Sequence, residues 1–158
     1  KPEDERFPKM IELFSRTNYL LQEENGLTPI HIDDSVSSLS AILLNDAYYQ
    51  ALMDGREIMR GISVLKPEWI IPFKAKAWLD LREKKDVDSS DIKKHRNDII
   101  RIISDMFLQK CILPDEVRKD MEKFIEQFDV TESELKNLKI RGTKPEDIKR
   151  ALQTTYLD

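Results

Sequence analysis

One helix predicted from the sequence, Pro67 to Lys85, carries a lysine on its apolar face, and this feature limits how the chain can fold. Lys74 projects into an arc that is otherwise apolar, formed by Ile70, Phe73, Ala77, Trp78 and Leu81. Because a buried ammonium must be paired or lose its charge, a group of opposite charge has to face it. Lys74 is therefore either a snorkelling or ion-paired structural lysine, or a lysine held in a pocket to meet an anion.

The strongest helical pattern, Ser90 to about Cys111, carries a second polar group on its apolar face. The apolar residues of that face are Ile92, Ile99, Ile102, Ile103, Met106 and Phe107. His95 lies among them, four residues after Asp91 and three before Asp98, and both separations bring side chains together on a helix. A histidine in a core is usually only hydrogen-bonded, and aspartates on a helix edge are usually solvated. His95 is thus either structural or part of a site.

The connection between these two helices, residues 85–90, is short and polar. We therefore expect the helices to pack antiparallel. Lys74 would then meet His95 or Asp98, which gives each polar group a reason to lie on an apolar face. Pairing removes two penalties of about 1–3 kcal/mol each, more for a charged group. The sequence predicts that the Lys74 ammonium lies within hydrogen-bond reach of Asp98 or is linked to it through one water.

The first third of the chain contains the patterns of extended strands. Met10 to Arg16 alternates apolar and polar residues, and Thr28 to Ile32 follows an Asn-Gly turn. Ile62 to Leu65 is a third candidate, whereas residues 37–44 fit strand and helix equally. So few strands are too little sheet to be stable on their own. We therefore expect part of the sheet to lie upstream of Lys1. The alternative is a small three-stranded sheet sealed by helices.

The rest of the chain is predicted to be helical. Thr131 and Glu134 have the spacing of a capping box at the start of one short helix. The further helices expected are Asp46 to Met53, Pro114 to Phe128, Thr131 to Lys139 and Pro145 to Tyr156.

Composition excludes several classes of protein. With 26 basic and 30 acidic residues the net charge is −4, so no basic excess indicates nucleic acid, although Lys93, Lys94 and Arg96 form a local basic run that is more often a solvated helix face. The single cysteine, Cys111, is expected to be a small core residue at the end of a helix, and it suits a reducing cytoplasm. No apolar run approaches the roughly twenty residues that span a bilayer.

Two short motifs resemble the back half of the AbiEii-like nucleotidyltransferases. That family belongs to the polymerase-β-type nucleotidyltransferase superfamily and includes toxins of bacterial toxin–antitoxin and phage-defence systems. The motifs are the runs FKAKAWLDLR and KHRND, with Lys74, Ala77, Arg82, Lys94, His95 and Asp98. The resemblance covers roughly Met10 to Phe107.

The resemblance implies an α+β fold that is mostly α. Residues 1–66 would be the remnant of a small mixed nucleotidyltransferase-type sheet, and residues 67–158 a helical domain. The complete protein would transfer a nucleotidyl group from a magnesium-bound nucleoside triphosphate to an acceptor, with an antitoxin as a candidate partner. The implied catalytic residues are Glu12, Lys74 and Asp98. Lys74, Arg82 and His95 would bind the nucleotide, and Glu12 would hold the metal.

The chain also departs from the family pattern. His95 stands where the first aspartate of a D-x-x-D motif is usual, and Arg82 lies one position later than usual. A Gly-Ser pair followed by a D-x-D motif, whose carboxylates hold two magnesium ions, is absent. Glu12 resembles the third carboxylate of the superfamily, although a surface-facing strand glutamate explains it nearly as well. We therefore expect this chain alone to be inactive and to bind magnesium–nucleoside triphosphate weakly or not at all.

Two other functions remain open from the sequence. The first is a non-catalytic helical interaction module, which binds an antitoxin or mediates oligomerisation. The second is a helical nucleic-acid-binding domain, which the acidic balance disfavours.

Overall fold

A computed structural model describes residues 11–16, 27–29, 39–85 and 87–158, with side chains from Leu44 onward except at position 86. The fold is α+β and mostly helical, as the sequence predicts. Its strands come first and its long helices follow. Two compact units divide between Tyr49 and Gln50.

The first unit contains a mixed three-stranded sheet. The strands are β1 (Ile11–Arg16), β2 (Leu27–Pro29) and β3 (Leu39–Leu44), in the spatial order β1-β3-β2. β1 runs parallel to β3, whereas β2 runs antiparallel to it. In this register Glu12 of β1 lies opposite Ser40 of β3. The two predicted strands are confirmed within the described residues, and the described part of the ambiguous run, residues 39–44, is a strand.

The second unit begins within helix α1 (Asp46–Asp54) and includes a hairpin of β4 (Arg56–Met59) and β5 (Ile62–Leu65). Its two-residue turn has Arg60 and Gly61 at φ 51° and 79°, as the favoured hairpin turns require. Ile62–Leu65 is therefore a strand, and among the described strands its partner is β4, in a sheet separate from the first.

Hydrogen bonds tie this hairpin to the helices on either side of it, so the hairpin lies within the second unit, whereas the predicted domains divide after residue 66. The Gly55 N–H donates to the Ala51 carbonyl, and the Lys66 N–H donates to the Gly55 carbonyl. A side chain at Gly55 would collide with Trp69 of the next helix, so only glycine fits there.

Five helices follow the hairpin. Their bounds are α2 Pro67–Glu83, α3 Ser89–Asp105, α4 Asp115–Gln127, α5 Glu132–Asn137 and α6 Pro145–Tyr156. The α6 range and the capping box of α5, in which Thr131 and Glu134 exchange hydrogen bonds, are confirmed.

Helix α3 differs from the prediction at both ends. Asp88 is its N-cap, since its carboxylate accepts from the Ser90 N–H, and the helix begins at Ser89, one residue before the predicted start. The helix ends at Asp105, six residues before Cys111, which lies in a non-helical segment where its N–H donates to the Thr155 carbonyl. Two predicted members of its apolar face are consequently wrong: Met106 and Phe107 follow the helix and are exposed, Phe107 by 93%.

The core of the second unit lies among α2, α3, α4 and α6. Trp78 of α2 packs edge-on against Phe124 of α4, with 5.3 Å between ring centroids, and Phe128 stacks against Phe124 at 4.6 Å. Because α2 contacts both α3 and α4, its buried surface is broader than one stripe. The predicted apolar arc is therefore partly wrong: Trp78 is buried, whereas Ile70, Phe73, Ala77 and Leu81 are only half-buried.

Candidate functional site

Lys74 and Asp98 meet as predicted. The Lys74 Nζ donates to Asp98 Oδ2 at 2.6 Å, and the side chains are 25% and 28% exposed. Lys74 lies nine residues before the last residue of α2, and Asp98 nine residues after the first residue of α3. When two helices joined by a short loop pack antiparallel, residues at equal distances from the loop lie opposite each other. The predicted contact is confirmed, while the chemical role of either residue stays a prediction.

Asp98 also lies near a second cation. Arg101, one helical turn further along α3, has its Nη1 4.0 Å from Asp98 Oδ1 and is 54% exposed. One carboxylate therefore faces two cations, one close and one at the limit of an ion pair. The site keeps a local excess of positive charge. An anionic group could replace Asp98 as the partner of Lys74. A lysine ammonium is a point charge and, unlike an arginine guanidinium, does not impose a planar two-donor geometry on its partner.

His95 lies beside this pair without taking part in it. Within the described residues, its buried Nδ1 has no hydrogen-bond partner. Burial lowers the pKa of His95 from its ordinary value, and the positive charges of Lys74 and Lys94 lower it further. The imidazole is therefore neutral near pH 7, so it can donate or accept one proton but cannot supply a positive charge to a phosphate.

Arg82 belongs to a different part of α2. It lies eight residues after Lys74, or about 12 Å along a helix axis. Its guanidinium covers the Trp78 ring at 4.1 Å from the centroid, and its Nη1 donates to Gln127 Oε1 of α4 at 3.0 Å. The structure therefore does not bring the predicted nucleotide-binding arginine to the Lys74–Asp98 pair. Arg82 instead joins α2 to α4.

Glu12, the predicted metal ligand, is placed by its backbone only, in β1 of the first unit. Its side chain lies outside the described residues, so its metal-binding role stays a prediction. Among the side chains that the structure describes, no group of three or more His, Cys, Asp or Glu residues could hold a metal ion. The described residues therefore do not make a magnesium site, and no chemical step can be derived through the ion.

The sequence missed a second ion pair on α3. Arg96 donates from Nη1 to Glu134 Oε1 of α5 and from Nη2 to Glu134 Oε2 and to the Asp129 carbonyl. Its guanidinium also lies 5.4 Å from the Phe128 ring centroid. Arg96 is therefore held in a structural contact and is not part of the solvated basic run with Lys93 and Lys94 that the sequence predicted. The capping-box spacing of Thr131 and Glu134 was visible in the sequence, but it gave no sign that Glu134 also binds Arg96.

Cys111 is not a nucleophile. The thiol is buried, and burial raises its pKa to about 12, so the reactive thiolate does not form near neutral pH. The nearby Tyr156 is buried as well, and its hydroxyl donates to the backbone carbonyl of Glu68. Both residues belong to the core of the second unit.

Comparison of the chain with known protein families, curated proteins and solved structures gives no match. Among the helices in residues 46–85 and 87–158, none combines the length and the apolar character that crossing a bilayer requires.

Proposed function

We propose that this chain belongs to a nucleotidyltransferase-like protein that transfers a nucleotidyl group from a nucleoside triphosphate to an acceptor. The protein would act as a toxin–antitoxin or phage-defence component, with an antitoxin as its partner. Lys74 binds phosphate, and Asp98 holds the ammonium in place or assists proton transfer. The single thiol favours a reducing compartment and so a cytoplasmic location.

The Lys74–Asp98 contact carries this proposal. The two residues come from the two motifs that carry the family resemblance, and they meet at 2.6 Å between α2 and α3. The ion pair alone would also suit a purely structural role. The neutral His95 beside it, with a buried nitrogen left unbonded in the described structure, supports a site that is completed by another molecule.

In the complete protein, magnesium carried with the triphosphate would neutralise part of the phosphate charge, and Glu12 is the residue of this chain predicted to hold it. The residues of this chain would then orient the phosphates and keep the neighbouring imidazole uncharged. Lys74 would approach the phosphates as a point charge, because a single hydrogen bond joins its ammonium to Asp98.

Transfer of label from each α-labelled nucleoside triphosphate to protein or RNA tests the proposal, in the complete protein that contains this chain. Lys74→Met and Asp98→Asn should each lower transfer by about 100-fold or more, the usual loss for one charge contact at a transition state. Lys76→Met is the matched control, since Lys76 lies on the same helix and pairs only with Asp80, four residues away. Transfer that persists in Lys74→Met, or is absent from the unaltered protein with all four nucleotides, would overturn the proposal.

A specific observation favours the alternative, a non-catalytic interaction module. Ile58, Met59 and Ile62 on the hairpin are each more than half exposed, and so are Phe107 and Ile112 after α3. Exposed apolar groups of this kind often mark contact surfaces. Light scattering at several concentrations, with Ile58→Lys and Ile62→Lys compared with the unaltered chain, tests self-association. A self-associating protein without transfer activity would favour this alternative.

A further inference from the structure

A basic cavity lies between α5 and α6, in a part of the second unit that the motifs do not include. Its volume is about 770 Å³. Four cations line it: Lys136, Lys139, Arg141 and Lys144. Leu135 and Ile140 supply an apolar wall, and pockets of roughly 300–1,000 Å³ are those that bind small ligands.

The cations of the basic cavity have no carboxylate partner. All four are exposed, and none of them takes part in an ion pair within the described residues. Glu132 is the one carboxylate among the lining residues. A smaller cavity of about 280 Å³ beside it differs, because its cation, Lys149, pairs with Asp129 at 3.5 Å. The excess positive charge is therefore specific to the basic cavity.

The local sequence concentrates this charge against the trend of the whole chain. Residues 136–144 read KNLKIRGTK, with four cations and no carboxylate, in a chain whose net charge is −4. Like charges so close together repel one another unless an anion lies between them. The basic cavity therefore gains from binding an anion.

The turn that carries the cations is fixed by backbone hydrogen bonds. The Lys139 N–H donates to the Lys136 carbonyl, and the Ile140 N–H donates to the Leu135 carbonyl, as in a Schellman motif. Lys139 occupies the left-handed position of this motif, with φ 60°, where glycine is the least strained residue. A lysine at this position causes local backbone strain, which points to a role for the Lys139 side chain.

The anion would be held by side chains and not by the start of α6. Pro145 has no N–H to offer, and Glu146 and Asp147 place negative charge in the first turn of that helix. The Asp147 carboxylate already accepts from the Lys144 N–H. The four cationic side chains, together with the Thr143 hydroxyl, are left to meet the ligand.

We propose that the basic cavity binds the phosphate groups of a nucleotide, either free or within a single strand. Several negative charges are needed to match four cations and one carboxylate, and Arg141 can meet a phosphate with two donors at once. The apolar wall contacts the sugar or base. This binding needs no magnesium, uses neither Lys74 nor Asp98, and does not depend on transfer activity.

Three probes distinguish the source of the phosphate: tripolyphosphate, ATP and a fluorescent single-stranded oligonucleotide, each titrated into the 158-residue chain with EDTA at low salt. At least one should bind, with affinity that falls steeply as salt rises. ATP tighter than tripolyphosphate would identify a nucleotide. Binding of the strand alone would identify nucleic acid. No binding by any probe overturns the proposal.

Variants then locate the binding. Lys136→Ala with Arg141→Ala should weaken it at least tenfold, whereas Lys93→Ala with Lys94→Ala, which removes equal charge from α3, should change it less than twofold. Equal losses in the two pairs would show only general attraction to positive charge and would overturn the site.

Two further variants separate loss of the site from loss of the fold. Lys139→Gly should weaken binding although the melting temperature stays the same or rises, because glycine relieves the left-handed strain. Glu132→Gln should tighten binding, since it removes the carboxylate from the basic cavity. Lys139→Gly with undiminished binding contradicts the proposal. Lys76→Met, which lies outside both sites, should leave binding unchanged. The titrations contain EDTA and measure binding without transfer, so failure here is distinct from failure of nucleotidyl transfer.

Discussion

Two ion pairs leave α3 in different directions, and they are built differently. Lys74 of α2 meets Asp98 through one hydrogen bond at 2.6 Å. Arg96, two residues before Asp98, donates to both carboxylate oxygens of Glu134. Its guanidinium also donates to the Asp129 carbonyl and lies over the Phe128 ring. The first pair has one point of attachment and the second has four.

The difference separates a replaceable contact from a fixed one. Glu134 also accepts from the N–H and the hydroxyl of Thr131, both at 2.9 Å, so its carboxylate orders the start of α5. The hydrogen bond from Arg96 is the main cause that lowers its pKa to about 2. The Lys74 ammonium can exchange Asp98 for another anion without rearranging a loop. We infer that the α3–α5 contact serves the fold, and that the α2–α3 contact is the one available for chemistry.

The largest effect is expected from the fixed contact. Arg96→Met should lower the free energy of unfolding by about 2–3 kcal/mol, because it leaves Glu134 and the Asp129 carbonyl without their donor. We expect a smaller loss of unfolding free energy than for a fully buried ion pair, because Glu134 is partly exposed and water screens its charge. Urea unfolding measures the change. Arg101→Met is the control and should change stability little, and equal effects of the two variants would contradict the comparison.

A smaller loss is expected from the replaceable contact. Lys74→Met should lower the free energy of unfolding by about 1–2 kcal/mol, since Asp98 keeps only the distant Arg101 as a partner. Lys76→Met removes an exposed pair within one helix and should have an effect of at most about 0.5 kcal/mol. Double-mutant cycles on both interhelical pairs should give the larger coupling energy to Arg96 and Glu134. A larger coupling for Lys74 and Asp98 would reverse the assignment of roles.

The replaceable contact could be predicted because both of its residues are anomalies. Lys74 and the His95–Asp98 pair interrupt apolar patterns on two consecutive helices, and a short connection leaves those helices one way to pack. Helical periodicity and capping likewise placed the ranges of α2 and α6 and the start of α5. These signals are local in the sequence, so they can be found without coordinates.

The fixed contact could not be predicted because nothing local marks it. Arg96 lies in a run of cations that looks solvated, and 38 residues separate it from Glu134. The end of α3 was misplaced for a related reason: Met106 and Phe107 continue the apolar pattern, but the chain turns away after Asp105. The basic cavity also escaped notice, since a loop brings its cations together around space that no periodicity describes.

The cap that supports Glu134 should contribute less than either pair. Thr131→Ala should lower the free energy of unfolding by about 1 kcal/mol, the usual effect of losing a threonine N-cap. When Thr131→Ala is made in the Arg96→Met variant, the change in the free energy of unfolding should differ from the change in the unaltered chain. The reason is that without Arg96 the Glu134 carboxylate is bonded to Thr131 alone. Urea unfolding of the single and double variants measures this coupling. Strict additivity would show that the cap and the ion pair act independently.

The smallest effect concerns His95 and the pH dependence of stability. Its folded pKa is lowered from an ordinary value of 6.5, so the unfolded chain takes up this proton more readily than the folded chain does. Stability should therefore fall as the pH drops below 6.5 and level off below the folded pKa. His95→Asn should remove this part of the dependence, which urea unfolding at a series of pH values measures.

Proton NMR titration of the imidazole sharpens the comparison between the two ion pairs. Lys74→Met should raise the pKa of His95, because it removes one of the charges that lower it and leaves Asp98 free to favour the imidazolium. Arg96→Met should leave that pKa nearly unchanged, since Arg96 is not among the groups that shift it. A rise of equal size in both variants would mean that the two contacts share one electrostatic environment, and the separation of a chemical pair from a structural pair would fail.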